Sequence, residues 1–138
     1  MLTTSRILLL PALIGCVATA QQPVNHLEVA QAYVRLLQQT EQLLAGCSDA
    51  AGVEAALPGL RKLAEQARAV RTAQLQLPDP TTADYNAVQA VAQDFVQAST
   101  QISSHIERLR EAGLVSEALR AVLLLPPDEQ SPAPAPES

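Results

Sequence analysis

Residues 81–113, TTADYNAVQAVAQDFVQASTQISSHIERLREAG, decide the fold. Val88, Phe95, Ile102 and Leu109 stand seven apart, and Val91 and Ala98 occupy the second seam position of the same heptad pattern. Seven residues make close to two turns of α-helix, so these side chains line one face of a long helix that needs a partner. Thr81 or Thr82 offers the side-chain oxygen that caps such a helix, and Gly113 offers the residue that stops it. Three heptads are too few to demand a free coiled coil. The seam is therefore expected to pack inside a bundle.

Upstream, Leu77-Pro78-Asp79-Pro80 ends the preceding segment, because a residue before proline avoids the helical region. That segment is predicted to be a helix capped by Ser48 or Asp49, with an apolar side running from Val53 through Leu57, Leu60 and Leu63 to Ala67 and Val70. Pro58 interrupts it, which predicts either a kink near Glu54 or a fresh start at Pro58. A first helix begins near Asn25, where Asn25 and Glu28 have capping-box spacing, and continues along Leu27, Ala30, Val34, Leu37 and Leu44 to a left-handed stop at Gly46. Downstream of Gly113, Ser116 to Leu125 reads as a short fourth helix carrying Leu119, Val122 and Leu123.

Short connections favour antiparallel neighbours, so residues 21–125 are expected to form one all-α domain, an up-down three-helix bundle with a short fourth C-terminal helix. Composition agrees. The apolar half of the 138 residues is mostly Ala, Leu and Val, Gln is abundant, and Tyr33, Tyr85 and Phe95 are the only aromatics. The stretch 126–138 is rich in Pro, Ala, Ser and acid, cannot bury a core, and is expected to be a disordered tail.

Residues 1–20 have the layout of an export signal: Arg6, an apolar run from Ile7 to Ile14 too short to span a membrane, then small residues. Two cleavage points compete. Ala18-Thr19-Ala20 fits signal peptidase and would leave Gln21 first. Leu13-Ile14-Gly15-Cys16 resembles the lipobox of bacterial lipoproteins, and that resemblance implies cleavage before Cys16 and its lipidation, hence an anchor to a bacterial membrane. Either cut leaves Cys47 as the one free thiol of the mature domain, so no intramolecular disulfide is expected. Cys47 could bridge to another molecule, though a lone Cys beside a helix end more often packs as a small apolar residue.

The net charge of −5 and a single lysine, Lys62, argue against nucleic acid as a partner, since phosphate backbones select clustered Lys and Arg. No hydrolytic, metal-binding or phosphate-cradling motif is present in the sequence, and no enzyme activity, cofactor or metal is expected. His26 and His105 are the only imidazoles. If facing helices placed them opposite each other they could bind haem, whereas the plainer reading of each is a hydrogen-bonded border histidine. Arg61, Lys62, Arg68 and Arg71 give the second helix a modest basic face, while the third carries Asp84, Asp94, Glu107 and Glu111. Inter-helical pairing is the simple expectation, and a site for an anionic partner the sharper one. Val122, Leu123, Leu124 and Leu125 are four consecutive apolar residues, more than one helix face can hide, so they are candidates for a partner or self-association surface as well as for packing of the closing helix.

The pattern of Asp49, Ala51, Ala55, Ala56, Pro58 and Leu60 resembles one found in small exported bacterial helical proteins of uncharacterised function, and it implies no activity. The sequence thus leads to an exported, lipid-anchored, non-enzymatic module with a structural or protein-interaction role in the cell envelope. The alternative is a soluble periplasmic bundle that binds a small ligand or haem.

Overall fold

The structure, a computed structural model, describes residues 23–125. The expected export signal, the expected lipidation of Cys16 and the expected tail at 126–138 lie outside the described residues. Four helices follow in order: α1 (His26–Ala45), α2 (Ala50–Leu75), α3 (Thr82–Glu111) and α4 (Glu117–Leu123). The chain is the expected all-α bundle of three long helices with a short fourth, and the described residues contain no strand. No helix among them is long and apolar enough to cross a membrane.

Each helix begins on a side-chain cap, which satisfies amide donors that have no partner in a first turn. Asn25 accepts from the Glu28 amide at 2.9 Å, Asp49 from Gly52 at 2.7 Å, Thr81 from Asp84 at 3.2 Å and Ser116 from Leu119 at 3.1 Å. The Thr81–Asp84 pair is a full capping box. Asn25 and Glu28 form only half of one, because the Glu28 carboxylate accepts instead from the Val24 amide at 2.7 Å.

The helix ends differ more from expectation. Gly113 is left-handed at φ 70°, and the amides of Gly113 and Leu114 return to the carbonyls of Arg110 and Leu109, the Schellman pattern. Gly46, expected to be left-handed, is right-handed at φ −77°. The guanidinium of Arg108, reaching across from α3, satisfies that end instead: it donates to the Cys47 carbonyl at 2.8 Å and the Leu44 carbonyl at 3.1 Å. Positive charge at a helix C-terminus is favourable, and α1 has no basic residue of its own in its last turn. Nor does α2 restart at Pro58. It runs unbroken through it, with Pro58 and Glu54 both exposed, so water can reach the Glu54 carbonyl that lacks a helical donor.

The helices run up, down and up. Their close approaches are α1 with α3, α1 with α2, and α2 with α4, while α2 and α3 stand apart on either side of α1. Gly59 lets α2 pack closely on α1: a methyl group there would meet Leu43 at 3.0 Å. The tightest packing gathers at one end, where Leu44 of α1, Leu60 of α2, Leu109 of α3 and Leu119 of α4 are all fully enclosed in one cluster. Each such side chain contributes roughly 1.5–3 kcal/mol on leaving water.

Candidate functional site

α2 and α3 make no direct approach to each other, and α4 packs on α2 with Leu119 in the same cluster as Leu109 of α3. Along α1 lies an open cleft in two halves that share Tyr33, which lines both.

The first half, about 540 Å³, lies between the N-terminal halves of α1 and α3. Tyr33, Tyr85 and Phe95, the only aromatic side chains of the protein, all line it together with Val29 and Val88. Tyr85 is 61% exposed, Phe95 48% and the adjoining Val96 62%, so this face of α3 lies partly open, although the seam residues Val88 and Val91 are half-buried. Asp84 and His26 stand at its margin. Bonds from the amide and the hydroxyl of Thr81, each 2.8 Å to the same oxygen, hold the Asp84 carboxyl below its ordinary pKa.

The second half, about 410 Å³, lies between α1, α2 and α4. Leu36, Leu37, Leu60 and Leu63 contribute to its floor, and Arg68, Arg71, Val122, Leu123 and Leu124 to its walls. Thr40 also lines it, but its hydroxyl is spent on the Leu36 carbonyl at 2.8 Å. Both halves fall in the range of small-molecule clefts, roughly 300–1,000 Å³.

Two features that the sequence offered separately, the basic face of α2 and the apolar run of α4, therefore form one site. Arg61 adjoins it in a shallower depression shared with Arg68 and Val122. Leu125 does not line it; that residue is half-buried, and its amide closes on the Arg120 carbonyl. Leu124 is 85% exposed and held at φ 54°, a left-handed conformation that costs a residue with a Cβ roughly 1–2 kcal/mol.

The expected pairing between α2 cations and α3 acids does not occur. Arg61, Lys62, Arg68 and Arg71 make no ion pair among the described residues, since α2 and α3 stand apart. Asp84 is engaged by Thr81, and Glu107 pairs with Arg110 at 2.7 Å within α3.

The two histidines are not brought together. His26 donates from Nε2 to the Pro78 carbonyl at 2.8 Å, which ties the start of α1 to the α2–α3 connection. His105 meets Glu41 at 2.9 Å, fifteen residues further along α1, or roughly 22 Å of helical rise. Each is the hydrogen-bonded border histidine of the plainer reading, and no single haem can lie between them. Among the described residues no group of three or more His, Cys, Asp and Glu side chains could hold a metal ion.

Cys47 is 1% exposed and belongs to the core cluster, deeper than a helix-end position suggested. Its thiol donates to the Leu43 carbonyl at 3.2 Å, and burial pushes its pKa up against the opposing influence of Arg108. A bridge to another molecule would require the core to open. Sequence reasoning missed two participants. Tyr33 stands out in the sequence only as one of three aromatics, and Arg108 gives no local signal, because its acceptors lie 61 and 64 residues away.

Of the residues that carried the resemblance to small exported proteins, Asp49 caps α2 and Ala56 and Leu60 are buried, while Ala51, Ala55 and Pro58 face solvent. The chain matches no protein-family model, no curated protein and no solved structure.

Proposed function

We propose that this protein is an exported, lipid-anchored, non-enzymatic helical module of the bacterial cell envelope that works by binding at the open cleft along α1. The observation that carries the binding role is the partly uncovered apolar lining: all three aromatic side chains gather there, and Tyr85 and Phe95 are exposed. Exposed apolar surface on this scale is a cost unless something occupies it. The lipobox-like Leu13-Ile14-Gly15-Cys16 supports the anchor, with residues 17–24 as a spacer between membrane and bundle.

Intact mass of the mature protein, recovered from membrane and soluble fractions of its own host, tests the anchor. A chain starting at Cys16 with added acyl groups is the expected result. A soluble chain starting at Gln21 would overturn it. Cross-linking from a photoreactive residue placed at Tyr85 tests the cleft, and failure to capture any protein or small molecule would remove the binding role. The alternative, a soluble periplasmic small-ligand bundle, gains support from the cleft's size but not from a histidine pair.

A further inference from the structure

We propose that the arginine-walled half of the cleft binds a long-chain fatty acid, with the acyl chain on the leucine floor and the carboxylate at Arg68 and Arg71. The proposal rests on the cleft being a binding site and is independent of the anchor at Cys16.

Three observations select this chemistry. First, the floor offers nothing polar: Leu36, Leu37, Leu60 and Leu63 are aliphatic, the Thr40 hydroxyl is already bonded, and no buried side-chain nitrogen or oxygen among the described residues lacks a partner. An occupant must be apolar along its length. Second, Arg68 and Arg71 lie one turn apart on α2, line the same groove, and have no carboxylate partner among the described residues, in a chain whose net charge is −5. Unpaired guanidinium groups in an acidic protein mark where an anion is expected, and their planar forks suit a carboxylate. Third, the groove is limited in size. Its volume of about 410 Å³ is in the small-molecule range, and the distance along α2 from Leu60 to Arg71 is roughly 16 Å, which suits a single acyl chain better than a two-chain lipid or a docked helix.

The polarity of the groove gives the orientation. Leu60 is 2% exposed and belongs to the closed core, whereas Arg68 and Arg71 are exposed. The methyl end therefore points toward Leu60 and the head toward the open end near Tyr33.

Titration calorimetry on the delipidated full-length mature chain tests this, using palmitate below its aggregation threshold and hexadecyltrimethylammonium as a cationic amphiphile of equal length. Saturable one-to-one binding of palmitate is expected, about tenfold or more tighter than the cationic probe. The exposed double variant Arg68→Gln/Arg71→Gln should lose about tenfold in palmitate affinity. Ala67→Phe should block the groove while far-UV circular dichroism stays unchanged. Absence of saturable binding, equal affinity for the two head charges, or undiminished affinity in the arginine variant would overturn the proposal. So would binding only by a chain ending at Leu125, since the acidic tail would then be the occupant. If palmitate fails but cross-links at Tyr85 persist, the cleft remains a binding site and the fatty acid alone is rejected.

Discussion

Leu109 and Phe95 occupy equivalent positions of one helical seam, two heptads apart, yet the first is fully enclosed and the second 48% exposed. The difference does not arise within α3, whose spacing is regular throughout. At the Leu109 end, α4 returns along the chain and sets Leu119 into the same cluster as Leu44 and Leu60. At the Phe95 end, α2 lends Gln74 to the open pocket but makes no close approach to α3, and no α4 residue lines it. A periodic seam specifies which face of a helix is apolar. Whether that face is covered depends on a second element arriving, and here one arrives at one end only.

The contrast can be broken most directly by truncation. Leu109→Ala should destabilise the bundle by about 2–5 kcal/mol, the range for emptying a fully packed leucine site. Phe95→Ala, although it removes a larger side chain, should cost under about 1 kcal/mol, because half of that surface is already in water. Urea unfolding of both variants makes the comparison, and equal losses would mean that the two ends are packed alike. Next in size, Arg108→Ala should cost about 1–3 kcal/mol by leaving the Cys47 carbonyl without its donor and the Leu44 carbonyl with local amides alone. Hydrogen exchange should show the loss concentrated in the last turn of α1.

Leu124→Gly works in the opposite direction. Glycine accepts φ 54° without a Cβ penalty, and an 85% exposed side chain gives up little packing, so the variant should be more stable by about 1 kcal/mol. If Leu124 serves the cleft, the same variant should lose affinity for the occupant as it gains stability. The smallest effect concerns Asp84, at the open end. Its carboxyl is held below the ordinary range by Thr81, so the folded state keeps the charge that the unfolded chain loses first. That contribution is complete above the ordinary carboxyl pKa and disappears as pH falls through the lower folded value. Thermal unfolding below roughly pH 4 should therefore show a shallower pH dependence in Asp84→Asn than in the parent chain.

Much of the fold was legible because its signals are local. Asn25, Asp49, Thr81 and Ser116 each satisfy an amide three residues away, and Gly113 ends α3 by its own backbone conformation. The departures from expectation have a different cause. Gly46 needs no left-handed turn because Arg108 donates to that end from another helix, and α2 does not restart at Pro58, which is exposed to solvent. A short connection at residues 76–81 makes α2 and α3 successive, but it does not decide which other helix each packs against. The site follows the same division. Arg68, Arg71 and Val122 to Leu124 stand out by composition, whereas their meeting around a groove comes from α4 packing back onto α2.

The reach of Arg108 also bears on the order in which the protein can become itself. A ribosome delivers the N-terminus first, so α1 is complete long before the residue that finishes its C-terminal end has been made, 61 positions after Cys47. Until then the Cys47 carbonyl lacks this donor, and the leucine cluster lacks its members from α3 and α4. The core around Leu44 draws on all four helices, so it cannot close until the chain has been made as far as Leu119. Its closure comes late in synthesis, after three of the four helices already exist.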